Sequence, residues 1–141
     1  MMRVVVVGVD GSEPSIRALL VAASLVEELR DAQLVVVHAR HVPYLWAPRH
    51  VPEAEFSDLL DEAEQFVRET VQADLGDRDL RWIIESREGE PSQVLRDVAR
   101  EVGASFVVVG RRGWSATEEL LLGSVSNRLV HRAELPVLVV Q

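Results

Sequence analysis

Glycine and serine residues near the end of the chain have a spacing that suits phosphate binding. The pattern Gly-x2-Gly-x9-Gly-Ser is formed by Gly110, Gly113, Gly123 and Ser124. The first two glycines allow the backbone to turn sharply and to lie close to a ligand. The last pair is predicted to begin a helix, where the backbone N–H groups of Ser124, Val125 and Ser126 would point at an anion. The same pattern is also compatible with a simple turn followed by a capped helix.

A second candidate is Asp10, which directly follows a run of valines near the start of the chain. A carboxylate at the end of a buried strand is suited to binding a ribose or a metal ion. Alternatively, Asp10 caps the next turn through Gly11-Ser12. His38 and His41 are two of only four histidines, and with no cysteine in the chain a zinc site is disfavoured.

All 15 basic residues are arginines, and the chain contains no lysine. This excludes the Walker A phosphate loop and Schiff-base chemistry, both of which require lysine. Phosphate binding would therefore depend on backbone N–H groups, hydroxyls and the arginines at 111 and 112, to which no firm role is given. The net charge of −8 argues against binding to nucleic acid or to an anionic membrane. The same charge is compatible with a bound nucleotide, because salt screens distant carboxylates beyond about 8 Å.

Hydrophobic periodicity predicts alternating strands and helices. The predicted strands are Val4–Val9, Leu34–Val37, Leu80–Ser86, Phe106–Val109 and Val137–Val140. The predicted helices begin at Ser12, Phe56, Pro91 and Gly123 and end near Arg30–Ala32, Gly76, Gly103 and Ala133. The third strand alternates in polarity, which places it near a sheet edge. Residues 40–53 are too rich in proline for a regular element, and Tyr44 and Trp46 there either cover a ligand or pack on the sheet.

Strands separated by helices predict one α/β domain over residues 1–141, with a parallel sheet covered by helices on both faces. In such a sheet ligands bind beyond the carboxyl ends of the strands, where the strand order reverses. The acidic face of residues 53–64 is expected to be solvated. The chain shows no signal peptide and no apolar run of spanning length, from which a cytoplasmic location is expected.

Two segments carry a resemblance to a known family. The residues Gly110 to Ser124, followed by Val125–Val130 and Leu135–Val140, are similar to the C-terminal signature of the universal stress protein family. The opening Val6–Ser12 resembles the first strand and turn of that family, and the order of elements fits along the whole chain. The Gly-x2-Gly-x9-Gly-Ser pattern is the form found in the nucleotide-binding branch.

The resemblance implies a Rossmann-like sheet of five strands in the order 3-2-1-4-5, with ATP at the carboxyl ends of strands 1 and 4. It implies that Asp10 faces the ribose or a phosphate-bound Mg²⁺, and that Ala39 meets the adenine through its backbone. The phosphates would be held by Gly110, Gly113, Gly123, Ser124, Val125 and Ser126. The last strand, Val137–Val140, would form a homodimer interface.

These features lead to the hypothesis of an ATP-binding stress-response module that acts through nucleotide-linked changes in population and hydrolyses ATP slowly at most. A nucleotide-independent dimeric scaffold is the first alternative. An adenylyl-bond hydrolase of related fold is a weaker one, because the turn after strand 1 is only Asp10-Gly11-Ser12. A response-regulator receiver is excluded by the missing lysine, and a dinucleotide-binding fold by the missing Gly-x-Gly-x-x-Gly after the first strand.

Overall fold

Valine-rich segments form the strands of one sheet, and amphipathic segments form the helices that cover it. The computed structural model describes residues 2–41, 53–111, 128–129 and 135–141. Within these residues the elements in chain order are β1 (Arg3–Gly8), α1 (Glu13–Glu28), β2 (Ala32–Arg40), α2 (Glu53–Leu75), β3 (Arg81–Glu88), α3 (Pro91–Val102), β4 (Phe106–Gly110) and β5 (Val137–Val140). Arg128 and Leu129 are also helical.

The five strands are all parallel and lie in the order β3-β2-β1-β4-β5, which confirms the predicted topology. Central β1 pairs with β2 on one side and β4 on the other, so that Val6 lies between Val35 and Val107. The chain progresses outward from β1 to β3, then crosses back to β4 and progresses the other way. The strand order therefore reverses between β1 and β4, and the crevice at a reversal is where such sheets bind ligands.

Side chains of successive strand residues point to opposite faces, and each face is buried under helices. On one face, Val5, Val7 and Val36 pack with residues of α1 and α2, including Leu19 and Val71. On the other face, a second cluster joins the alternate strand residues to α3 and to Leu129; it includes Val6, Val35, Val107, Leu95 and Val98. Burial on both faces explains the nearly continuous valine runs of β1 and β2.

The helix ends agree with the local signals in the sequence. Ser12 caps α1, and its side chain accepts a hydrogen bond from the N–H of Ser15. Gly103 caps α3 in the left-handed conformation, with φ of 65°. Helix α1 ends at Glu28, earlier than predicted, because Leu29 is already extended, with a φ of −85° and a ψ of 138°, and β2 begins at Ala32.

Strand β3 lies at one edge of the sheet, as its alternating polarity predicted. Ile83 is 47% exposed, which fits a strand at the edge of the sheet. Among the helices of the described residues, none has the length and apolar character that would let it cross a bilayer. The proline-rich segment with Tyr44 and Trp46 lies outside the described residues.

Candidate functional site

The candidate site is the edge of the sheet where β1 and β4 end. The ladder between β1 and β2 continues one residue past β1, because the Val9 N–H donates to the Val37 carbonyl at 2.9 Å. The chain then turns away from the sheet at Asp10 and enters α1. Strand β4 ends at Gly110, next to Pro14 in the first turn of α1. The structure therefore brings Asp10 and Gly110 to the same edge, as the topology predicts.

The turn after β1 is fixed by its own hydrogen bonds. The Asp10 Oδ1 atom accepts a hydrogen bond from the Ser12 N–H at 2.8 Å. Gly11 adopts a φ of 88°, a conformation that side chains disfavour. One carboxylate oxygen of Asp10 thus performs the turn-capping role that the sequence left open. The side chain is half-buried at the start of α1, where the helix dipole favours negative charge.

Gly110 allows β4 to approach the start of α1 closely. A Cβ atom at this position would lie 2.6 Å from the carbonyl oxygen of Pro14 and 2.7 Å from its carbonyl carbon. Gly110 is not among the glycines with positive φ. Its role in the described structure is therefore the close contact between the end of β4 and the start of α1.

Ala39 lies at the carboxyl end of β2 and is paired with Arg87 of β3. It is 2% exposed, and its side chain belongs to the cluster on the α3 face. A buried methyl group offers nothing to a polar ligand. This restricts Ala39 to the backbone role that the resemblance implies.

Most of the glycine-serine motif lies outside the described residues, namely Gly113, Gly123, Ser124, Val125 and Ser126. The next described residues along the chain are Arg128 and Leu129. Leu129 is fully buried on the α3 face, and Arg128 Nη1 lies 3.2 Å from the Glu90 Oε1 atom. Glu90 caps α3 directly after β3, so this ion pair lies at the carboxyl edge of the sheet.

The Glu90 carboxylate is strongly engaged by hydrogen bonds. Burial by itself would raise the pKa of the Glu90 carboxyl. The hydrogen bonds that it accepts from the Ser92 hydroxyl and from the N–H groups of Ser92 and Gln93 outweigh burial, so its pKa lies below the ordinary value. The charge of Arg128 acts in the same direction. Glu90 is thus anionic at neutral pH and holds both α3 and the helix of Arg128.

Two polar residues at this edge were not assigned a role from the sequence. His38 and Ser15 are each 3% exposed. The His38 Nδ1 atom lies 3.2 Å from the Val9 carbonyl oxygen, and the Ser15 hydroxyl accepts a hydrogen bond from the Asp10 N–H at 3.2 Å. Desolvation lowers the pKa of the His38 imidazole, which is therefore neutral at pH 7. The sequence feature that could have identified His38 is its position at the end of an otherwise apolar run of strand residues.

The described residues of the acidic face of α2 are mostly exposed, as expected, but two of its carboxylates also pair with an arginine. Arg40, at the end of β2, forms ion pairs with Asp61 at 2.8 Å and with Glu64 at 3.6 Å. It also lies 3.9 Å from Glu88. These ion pairs were not predicted, because helical periodicity identifies the polar face of a helix but not which strand end lies beneath it.

The described residues contain no group of three or more side chains that could hold a metal ion by themselves. A single carboxylate such as Asp10 fits Mg²⁺ in another way, because this ion takes few protein ligands and is completed by phosphate oxygens and water. Asp10 would hold such an ion through the carboxylate oxygen that the turn does not use.

Comparison with known families matches the model of the universal stress protein family over residues 1–141. Among individual relatives, the universal stress protein YxiE of Bacillus subtilis is 28% identical over the full length of both chains. The universal stress protein MJ0531 of Methanocaldococcus jannaschii is 30% identical, with 97% of this chain and 81% of the relative covered.

Solved structures share the fold. Hypothetical protein MJ0577 superposes with a TM-score of 0.84 at 23% identity, covering 99% of this chain and 96% of the other. A universal stress protein in complex with cAMP superposes with a TM-score of 0.72 at 26% identity, covering 99% and 97%. An Arabidopsis thaliana family member with AMP bound gives a TM-score of 0.65 at 19% identity, covering 98% and 90%.

Proposed function

The chain belongs to the universal stress protein family, and on this premise we propose that it is a nucleotide-binding stress-response module of the cytoplasm. The ligand is an adenine nucleotide, ATP with Mg²⁺ in the first place. The observation that carries the proposal is that Asp10 and Gly110 lie at the same edge of the sheet, where the strand order reverses between β1 and β4. The solved structures with cAMP and with AMP support an adenine nucleotide as the ligand class.

The site would hold the nucleotide with few cationic groups. Asp10 binds the ribose or the Mg²⁺ ion, and Ala39 meets the adenine through its backbone. The phosphates lie against Gly110 and the glycine-serine motif, where N–H groups at a helix start favour an anion. The support for phosphate binding here is the sequence motif itself, whose residues are Gly110, Gly113, Gly123, Ser124, Val125 and Ser126.

Binding rather than rapid turnover is the proposed activity. At the described part of the edge, the carboxylates of Asp10 and Glu90 accept hydrogen bonds from backbone N–H groups. The carboxylates of Asp61, Glu64 and Glu88 lie around Arg40. The chain has no lysine to stabilise the charge on a transferring phosphoryl group. Hydrolysis of ATP is therefore expected to be slow.

We also propose a homodimer formed through β5, the last strand of the sheet. Leu138 in β5 is 38% exposed, and the strand has a described neighbour only in β4. The Arg17 Nε atom donates to the carbonyl oxygen of Gln141 at 3.3 Å, which places α1 beside the end of β5. Leu20 and Val21, further along α1, are 38% and 37% exposed and would extend the same apolar surface.

Nucleotide binding is tested by isothermal titration of the full chain with Mg·ATP, AMP and cAMP, after removal of any copurified ligand identified by mass spectrometry. The Asp10→Ala variant should bind Mg·ATP at least about tenfold more weakly, as expected when a charge-assisted contact is lost. Gly123→Val should also weaken binding, because a side chain there would block the close approach of the backbone to a phosphate. The Asp79→Ala variant removes the same charge at the opposite edge and should bind like the parent. Equal binding by Asp10→Ala, Gly123→Val and the parent would contradict the site.

A nucleotide-independent dimeric scaffold is the second candidate function. The exposed apolar residues of β5 and α1 favour it, because they do not depend on a ligand. It would be supported by a stable dimer that binds none of the three nucleotides and carries none after purification.

A further inference from the structure

The peptide group that joins Val9 to Asp10 is held from two directions by side chains. Its carbonyl oxygen lies 3.2 Å from the His38 Nδ1 atom. Its N–H donates to the Ser15 hydroxyl at 3.2 Å. His38 comes from β2 and Ser15 from α1, so two separate elements fix the orientation of one peptide plane. This is the point at which the chain leaves the sheet.

The two side chains are unusual for their burial. Among the described residues, the buried polar side chains are those of Ser15, His38 and Ser92. Burying a polar group costs free energy unless it is hydrogen-bonded. The Ser15 hydroxyl also donates to the Ser12 carbonyl at 2.9 Å, so the same hydroxyl holds both ends of the turn. Two of these three buried side chains, His38 and Ser15, therefore contact the peptide group that joins Val9 to Asp10.

The partners determine where the hydrogen atoms lie. A carbonyl oxygen only accepts, so His38 must carry its proton on Nδ1 to bond to Val9. The Asp10 N–H only donates, so the Ser15 hydroxyl accepts from it and directs its own hydrogen to the Ser12 carbonyl. The roles of donor and acceptor are thus consistent along the chain of contacts from β2 to α1.

Holding this peptide leaves Asp10 little freedom. His38 and Ser15 fix the peptide plane before Asp10. The Asp10 Oδ1 atom accepts a hydrogen bond from the Ser12 N–H at 2.8 Å. The remaining carboxylate oxygen then has a defined position before any ligand arrives. A group that is ordered in advance binds more tightly, because less conformational freedom is lost on binding.

We propose that His38 and Ser15 are positioning residues that hold the Asp10 carboxylate in place for the nucleotide. This inference rests on the proposed function, since Asp10 is the ligand-binding group that they position. Neither residue needs to touch the nucleotide. Their effect on affinity is exerted through the Val9–Asp10 peptide.

The test compares His38→Leu, which removes the donor, with His38→Asn, whose amide N–H lies near the position of Nδ1. The probe is Mg·ATP, titrated into the full chain by calorimetry. His38→Leu should weaken binding by roughly three- to tenfold, the effect of one net hydrogen bond, and Ser15→Ala should do the same. His38→Asn should restore most of the affinity, which a general loss of packing would not allow.

The same variants are then made in an Asp10→Ala background. Positioning through Asp10 predicts that His38→Leu has no further effect on the affinity in this background. An equal loss in both backgrounds, or no rescue by a folded His38→Asn variant, would overturn the proposal. Thermal unfolding of each variant identifies those that remain folded.

A second readout separates this inference from the proposed function. If the parent binds neither Mg·ATP nor AMP, the proposed function fails, but the contacts can still be tested by NMR. Long-range ¹H–¹⁵N correlation should show the Nδ1–H form of His38, and the Asp10 amide should exchange more slowly in the parent than in Ser15→Ala or His38→Leu. Unchanged Asp10 exchange in both variants would refute the proposed contacts themselves.

Discussion

The Gly110→Ala variant offers a demanding prediction, because it adds one methyl group where the backbone leaves no room. The new Cβ atom would lie 2.6 Å from the Pro14 carbonyl oxygen, whereas ordinary contact begins near 3.4 Å. The shortfall is about 0.8 Å, and a rotamer change cannot relieve it because the neighbouring atoms are backbone. The end of β4 and the start of α1 must therefore move apart.

The cost of such overpacking is about 1–3 kcal/mol of unfolding free energy. At roughly 3 °C per kcal/mol for a domain near this size, the Tm should fall by about 3–9 °C. The same movement displaces the turn that carries Asp10. Mg·ATP should then bind about tenfold more weakly, as expected when one charge-assisted contact is lost.

Differential scanning fluorimetry and calorimetric titration measure the two effects, and Gly103→Ala is the matched control. Gly103 has a φ of 65° and nothing within 4 Å of its Cβ position, so alanine there is strained by about 1–2 kcal/mol without a clash. It lies before β4, at the opposite edge of the sheet. Both variants should lose stability, but only Gly110→Ala should lose affinity. A Gly110→Ala variant with the Tm and affinity of the parent would refute the reasoning.

Three further predictions follow from described contacts. The pKa of the Glu90 carboxyl lies below its ordinary value in the folded protein. Ionised Glu90 therefore stabilises the fold above a pH of about 4.5, and this stabilisation is lost as the pH falls through the lowered pKa of the folded state. Denaturant titrations from pH 6 to pH 3 should therefore show a smaller loss of stability for Glu90→Gln than for the parent, and parallel curves would contradict the ion pair and capping contacts. Gly11→Ala should cost about 1–2 kcal/mol in chemical denaturation, because alanine must adopt a φ of 88°; equal stability would show that the turn has another conformation. Leu138→Asp should convert a dimer to a monomer in sedimentation at micromolar concentration, because it places a charge on the apolar face of β5; a parent that is itself monomeric would contradict the dimer.

The places of the strands were predictable from the sequence, whereas the order of the strands in the sheet was implied by the resemblance to the universal stress protein family. Continuous valine runs identify β1, β2 and β4 as strands buried on both faces, and the alternation of β3 identifies an edge. The helix caps were also predictable, because Ser12 and Gly103 satisfy backbone groups of the adjacent helix turn. Strands and helix caps depend on residues that are close together in the sequence, so the sequence pattern alone identifies them.

Contacts between distant segments were not predictable in this way. The motif assigned Gly110 to phosphate binding, but its contact with Pro14 depends on how close β4 comes to α1. The role of His38 depends on Val9, which is 29 residues away and on a neighbouring strand. A histidine in a strand and a serine in a first helical turn are each ordinary. Only their convergence on one peptide identifies them as part of the site.

The central claim is that an adenine nucleotide binds at the reversal point of the sheet. The most direct measurement is an NMR titration of the ¹⁵N-labelled full chain with Mg·ATP, following backbone amide shifts. Saturable shifts are expected at Asp10, Ser12, Ala39 and Gly110. None are expected at the cavity of about 450 Å³ at the opposite edge, which is lined by residues including Val26, Asp31 and Arg81. Shifts confined to that cavity, or no shift at any amide, would contradict nucleotide binding at the reversal point.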